Sequence, residues 1–285
     1  MIKEINGFKL WEKEPNTIDK RGSLYTRSFY FDTLNKFKDR LVRVYLPSTY
    51  DFSQPNNRFP VMYMLDGKNL FDDYTSFVGE WHVDEDLEEA IARGESQGMI
   101  VVGIDAPNEA IARSEEMTPD EVVVSKTKRL KKGYASRLGD FIFKEVKPVI
   151  DETFFTLSEK EHTSVGGSSS GGMMAFYLYL HYPEYMNNAL VFSPAFFLYS
   201  RKSMVEMYDK LLRKENNLGK CYLYVGGKDF ESLFVKDTFF AYKYMMKHGF
   251  THDDVKLVYE SSAIHNEKDW HKYLLDALRF INFGW

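Results

Sequence analysis

Thr163-Ser164-Val165-Gly166-Gly167-Ser168-Ser169-Ser170-Gly171-Gly172-Met173-Met174-Ala175-Phe176 is the stretch on which the reading of this chain turns. It holds Gly167-Ser168-Ser169-Ser170-Gly171, a G-x-S-x-G pattern centred on Ser169. A short, β-prone apolar piece comes before it. Met173 to Tyr182 follows with no breaker until Pro183, which predicts a helix. In a strand–turn–helix context the pattern has a chemical meaning. The serine is lifted on a sharp, strained turn with its oxygen exposed above a sheet. The helix N-terminus then lies under the negative charge that develops during acyl transfer, and the flanking glycines let strand and helix approach closely. A Gly/Ser-rich turn is also compatible with a plain loop or a phosphate cradle. No Gly-Lys-Ser/Thr ending and no G-x-G-x-x-G accompany it, so the nucleotide-binding versions fail.

Working outward, the chain has 285 residues, 44% hydrophobic and 28% charged, an ordinary globular composition. The length allows two domains, but a large α/β sheet accommodates it as one, and no linker, repeat or low-complexity tract divides it. One domain over residues 1–285 is therefore expected. The net charge of −5 does not favour nucleic acid. The local basic run Lys126 to Lys132 reads as a solvated loop. Cys221, the single cysteine, excludes an intramolecular disulfide and reads as a small buried hydrophobe. The first residues lack the apolar core of a signal peptide, and no run reaches the ~18 apolar residues of a membrane span. The expectation is a cytoplasmic protein without membrane partners.

Leu24 to Phe31 and Leu41 to Leu46 predict an antiparallel pair at the sheet edge, within an N-terminal region of residues 1–50. Val61 to Leu65 and Met99 to Ile104 are nearly all apolar, as strands buried on both faces should be. Val83 to Arg93 predicts a helix whose acidic start, Asp84-Glu85-Asp86, suits the helix dipole better than a metal. Helices are expected over Leu138 to Ile150, Ser203 to Arg213, Phe234 to Lys247 and Lys268 to Phe280. Strands are expected over Ala189 to Pro194, Cys221 to Val225 and Val255 to Tyr259. Alternation of this kind means a mostly parallel sheet with helices on both faces. Function then belongs at the carboxyl ends of the strands. Residues 106–133 interrupt the alternation. This mostly polar excursion, starting on the active-site edge, reads as a lid or wall.

A nucleophilic serine needs a base, and the base needs an orienting acid. Of the histidines after Ser169, only His265 directly follows a strand at the carboxyl edge. His181 and His248 sit at helix ends, His252 precedes a strand, and His271 lies inside a helix. For the acid, Ser193 to Ser200 holds no carboxylate, whereas Gly226-Gly227-Lys228-Asp229-Phe230-Glu231 holds two. Asp229 is nearer the strand end and is preferred, with Glu231 as the alternative. Asp66 and Asp105 precede the elbow and read as loop hydrogen-bonding residues. The oxyanion hole should use the N–H of Ser170 and a second N–H after the strand Val61 to Leu65, at Lys68 or Asn69.

These motifs, in this order, resemble the putative-esterase family of α/β-hydrolases, which includes esterase D-like, feruloyl and enterochelin esterases. Met64-Leu65-Asp66-Gly67-Lys68-Asn69-Leu70-Phe71 is similar to the family's HDGQNLF, and Trp81-His82-Val83-Asp84-Glu85 to its W-x-V-D-E. Gly167 to Gly172 is similar to its GSSMGG, Val225 to Asp229 to VGTKE, and His265 to Trp270 to HNExxW. The chain departs at Lys68, where Gln is frequent, and at Met117, where Tyr is common. The resemblance implies the α/β-hydrolase fold and serine-ester hydrolysis through Ser169, His265 and Asp229. It also implies a small-molecule ester as partner, with Asn69 and Trp81 toward the substrate, and neither cofactor nor metal. Acyl transfer by the same groups, or a non-catalytic module on the same scaffold, are the rival readings.

Overall fold

A computed structural model describes residues 2–11, 22–31, 39–77, 79–120, 122–124, 129–130, 133–212, 218–282 and 284. Its strands are β1 (Glu4–Ile5), β2 (Phe8–Leu10), β3 (Ser23–Tyr30), β4 (Asp39–Leu46), β5 (Val61–Leu65), β6 (Ile100–Ile104), β7 (Val123–Val124), β8 (Arg129–Leu130), β9 (Thr163–Ser168), β10 (Asn188–Phe192), β11 (Cys221–Gly226) and β12 (Val255–Glu260). Its α-helices are α1 (Val83–Ala92), α2 (Ala110–Glu116), α3 (Ala135–Asp140), α4 (Lys147–Thr153), α5 (Ser170–His181), α6 (Arg201–Leu211), α7 (Ser232–Lys247), α8 (Glu267–His271) and α9 (Leu274–Phe280). The predicted end of α6 at Arg213 and most of the basic run 126–132 lie outside the described residues.

The chain divides into two compact units. The first comprises Met1–Ala106, Phe141–Thr163 and Asn266–Trp285; the second comprises Pro107–Asp140 and Ser164–His265. In the first, the strands run in the order β1-β2-β3-β4-β6-β5. The pair β3/β4 is antiparallel in the register Ser23↔Leu46 to Tyr30↔Asp39. The sequence reading makes this pair the edge of the sheet. The structure adds β1 and β2 beyond it, too short to carry a period of their own. β5 and β6 are parallel and buried at every position, which explains their unbroken apolar sequences. Aromatic rings seal this layer. Phe8 meets Phe154 edge-on at 5.2 Å, and Phe31 lies 4.3 Å from Phe141.

In the second unit β9, β10, β11 and β12 are parallel neighbours in that order. Buried aromatic and β-branched residues such as Val191, Phe192, Tyr222 and Tyr224 form its core. Cys221 is buried in β11, and burial pushes its thiol well above the usual range, consistent with a packing role. α5 is buried on nearly every side, so its sequence shows an apolar run without an amphipathic stripe.

Two helix expectations change in detail. The predicted helix Leu138 to Ile150 is realised as α3, a π-helical turn over Phe141–Val146, and α4, with Pro148 in the first turn of α4. Pro148 thus falls just after the π-helical turn, where the regular α-helical hydrogen-bond spacing is already interrupted. The last predicted helix is broken into α8 and α9. Among the described residues no helix is long and apolar enough to cross a membrane.

The excursion after β6 is more ordered than its sequence suggests. It contains α2 and the antiparallel pair β7/β8. Val122 and Glu116 are fully buried, and Ser200 N–H donates to the Val123 carbonyl at 2.7 Å. The Thr118 hydroxyl meets the Tyr199 hydroxyl at 3.1 Å. Its polar residues are thus partly internal, which removes the hydrophobic period by which a sequence reading finds helices.

Candidate active site

β9 ends at Ser168, α5 begins at Ser170, and Ser169 stands between them with φ 59° and ψ −121°. An L-residue reaches this conformation only when its surroundings impose it, at a cost of about 1–3 kcal/mol. Three backbone hydrogen bonds impose it here. Ser169 N–H donates to Phe192 O at 3.0 Å, while Ala195 N–H and Met173 N–H both donate to Ser169 O at 3.0 Å. β10 and the segment after it therefore hold the turn from outside. Gly172 shows why this needs glycine. A Cβ there would lie 2.5 Å from Phe192 O and 3.2 Å from Pro194 Cα. Ser170 occupies the first position of α5, where a backbone N–H has no intrahelical acceptor. Ser168 and Ser170 are buried, while Ser169 is half-buried.

His265 follows β12, as expected, and its side chain is 16% exposed. Its Nδ1 is hydrogen-bonded to Glu231 Oε2, not to Asp229. This corrects the preferred acid. Residues Asp229–Glu231 form a 3₁₀ turn between β11 and α7. Asp229, at φ 54°, faces outward and is exposed, whereas Glu231 is fully buried. Proximity to the strand end is a poor guide here, because the tight turn brings its last residue inward. Gly226 supplies the space: a Cβ there would lie 2.6 Å from Glu231 Cγ and 2.8 Å from Ala263 O. Gly226 N–H donates to Glu231 Oε1 at 2.9 Å, and Ser193 Oγ donates to the same oxygen. A fully buried carboxylate with three hydrogen-bonded partners is satisfied in the way burial of a charge demands.

Phe234 stacks on the His265 ring at 4.5 Å, and Phe230 meets the same ring edge-on at 5.3 Å. Phe197 packs on Phe234 at 4.7 Å. Phe230 is 54% exposed, so an aromatic surface next to the imidazole reaches solvent.

The other sequence candidates belong to the first unit. Lys68 and Asn69 lie on a 3₁₀ turn, Gly67–Asn69, after β5. The Asn69 side chain donates to Glu267 Oε1 at 2.9 Å and accepts from Phe77 N–H at 3.2 Å, while its carbonyl accepts from Trp81 N–H at 2.9 Å. Trp81 is 2% exposed and packs against Trp270 in a tilted pair with ring centroids 5.7 Å apart. Asn69 and Trp81 are the residues that the resemblance places toward the substrate. Their polar and aromatic surfaces are already occupied, and they fix the turn that carries Lys68. Asp105, a strand-end carboxylate, pairs with Arg43 in a forked contact at 2.8 and 3.1 Å. Burial raises its pKa, and Arg43 opposes that. The remaining histidines named above have structural partners. His181 stacks on Tyr177, His248 Nδ1 contacts the Tyr244 carbonyl, His252 meets the Tyr242 hydroxyl and His271 meets Asp86. Glu80, His82 and Glu85 also cluster, with His82 Nδ1 3.2 Å from Glu80 and 3.8 Å from Glu85. A cleft of about 490 Å³ in the first unit, lined by residues including Tyr25, Tyr50 and Phe52, contains none of the catalytic candidates.

The strained serine turn and the Glu231–His265 couple lie in one unit, after parallel strands of the same sheet. Residues 37–281 match the family described as "Putative esterase", and the chain belongs to that family. It is a carboxylic-ester hydrolase with the α/β-hydrolase fold. A Bacillus subtilis (strain 168) protein, "Uncharacterized protein YbbA", is 23% identical over 87% of this chain and 94% of its own. The BES protein from Bacillus cereus is 23% identical with a TM-score of 0.67, covering 95% of this chain and 98% of its own. A ferulic acid esterase is 17% identical with a TM-score of 0.66, covering 92% and 97%. The enterobactin esterase FES from Shigella flexneri, solved in the presence of 2,3-di-hydroxy-N-benzoyl-glycine, is 16% identical with a TM-score of 0.61, covering 95% and 60%.

Proposed function

We propose that this protein hydrolyses small carboxylic esters through an acyl-enzyme on Ser169, with His265 as base and Glu231 as its orienting acid. The observation that carries this reading is the Glu231 carboxylate on His265 Nδ1, in the same unit as the strained Ser169 turn. With Nδ1–H held by a carboxylate, Nε2 is the nitrogen left with a lone pair. It takes the Ser169 proton as Oγ attacks the ester carbonyl. The tetrahedral oxyanion is met by the Ser170 N–H at the start of α5, where the helix dipole favours negative charge. Collapse expels the alcohol, which takes the proton from His265. Water then repeats the sequence and releases the acid. No step calls for a cofactor.

The aromatic surface of Phe230, Phe234 and Phe197 beside His265 supports an ester carrying an apolar or phenolic group. Structural relatives named for ferulic acid, or solved with a dihydroxybenzoyl compound, agree with that preference. The test is a panel of chromogenic esters assayed with wild type, Ser169→Ala and Ser168→Ala. Ser169→Ala should abolish turnover on every ester while remaining folded. Ser168→Ala should retain it, since Ser168 contributes packing at the end of β9. Full activity of Ser169→Ala would refute the reading.

A further inference from the structure

Ser193 stands just after β10 with φ 43° and is fully buried. Serine is not the residue this backbone favours, because glycine takes a left-handed φ with less strain. Its main-chain N–H is engaged with Tyr224 O at 2.7 Å, which fixes it against β11. What serine adds is a hydroxyl, and that hydroxyl donates to Glu231 Oε1. Gly226 N–H donates to the same oxygen at 2.9 Å. The carboxylate is thus held from one side by two donors, and its other oxygen, Oε2, faces His265 Nδ1.

We infer that Ser193 is a positioning residue that clamps the Glu231 carboxylate so that Oε2 presents to the His265 imidazole. The inference rests on the reading that Ser169, His265 and Glu231 carry the hydrolysis. Glu231 reaches His265 on a long side chain, and without Ser193 its Oε1 would keep only the Gly226 N–H as a donor. A second donor from a different strand end fixes the plane of the group. Ser193 touches neither substrate nor reacting atoms and acts only through Glu231.

The test compares Ser193→Ala and Ser193→Gly, each alone and in the Glu231→Gln background, with Ser169→Ala alongside. Ser193→Gly relaxes the left-handed backbone and removes the hydroxyl, so it separates strain from clamping. Both single variants should lower kcat about tenfold, the scale of one hydrogen bond to a charged group. In the Glu231→Gln background neither should lower it further, because a residue acting through Glu231 has nothing left to act on. The acid limb of the kcat/KM profile should also move to higher pH. A carboxylate with one donor fewer holds the imidazolium proton more firmly, so the free base appears later in the titration. Packing loss alone would move neither the limb nor the cycle. Wild-type kcat with an unmoved acid limb in Ser193→Gly overturns the inference. So does an equal fold-loss in the Glu231→Gln background. Activity in Ser169→Ala would instead overturn the underlying site.

Discussion

Exchanging a carboxylate for an amide at position 231 and at position 229 separates the two candidate acids. Glu231 Oε1 accepts from Ser193 Oγ and from Gly226 N–H at 2.9 Å, and Oε2 meets His265 Nδ1. All three contacts face a residue with no solvent exposure. Glu231→Gln keeps the size but supplies one oxygen and one NH₂. If the NH₂ faces His265, the imidazole must turn its lone pair to Nδ1 and loses the free lone pair at Nε2. If it faces Gly226, a buried amide donor meets a donor, which costs about 1–3 kcal/mol. In the well-studied serine-protease triad, the analogous change lowers kcat about 10⁴-fold, equivalent to about 5.4 kcal/mol of transition-state stabilisation. A loss of ~10³ to 10⁴ is expected here. Asp229 is exposed and left-handed, a conformation that asparagine accepts readily. Asp229→Asn should stay within about twofold of wild type, as surface changes do. The assay is initial rate on a chromogenic ester at saturating substrate, with the unfolding midpoint as a fold control. An inactive, folded Asp229→Asn beside an active Glu231→Gln would refute the assignment.

Gly172→Ala should lower the unfolding midpoint by several degrees, because its Cβ would meet Phe192 O at 2.5 Å, an overpacking of about 1–3 kcal/mol; thermal denaturation checks this. His271→Gln should destabilise the fold in a pH-dependent way. His271 is raised by its hydrogen bond to Asp86, and Asp86 is itself raised by desolvation. The raised His271 contributes fully below its unfolded value and loses that contribution as pH rises through its folded value. The gap in midpoint between wild type and variant should therefore be widest in mildly acidic solution, above the titration of Asp86, and should close toward alkaline pH. A bridge of Gly and Ser replacing residues 119–129 should lower the midpoint, because Val122 is fully buried, and should reorder an ester panel through KM; an unchanged ranking would remove the wall role.

Much of this was legible in the chain. β5, β6, β9 and β11 announce themselves as unbroken apolar or Gly-spaced runs, because strands buried on both faces have no polar side to show. The elbow and His265 are legible for a different reason. The turn requires small residues, and the parallel sheet puts function at one edge. What escaped was local geometry. A 3₁₀ turn reverses which of Asp229 and Glu231 points inward, and no period of three residues is long enough to reveal it. Gly226, five residues before Glu231, was the available signal, since its bare Cα leaves room for the longer acid. Ser193 carries no sequence signal of its role, because a lone serine after a strand has no motif and its contact with Glu231 is made only in the fold. The excursion looked structureless because its order depends on single buried residues and side-chain hydrogen bonds to α6, such as Val123 N–H to Ser203 Oγ at 3.0 Å.

Acylation of Ser169 is open to covalent capture. Treatment with an aryl organophosphonate, followed by proteolysis and mass spectrometry, should place one adduct on the peptide spanning Ser169. The kinetics of labelling should match those of inactivation, and the Ser169→Ala protein should take up no label. Stoichiometric labelling of any other residue, or full inactivation of Ser169→Ala by the same reagent, would contradict the account.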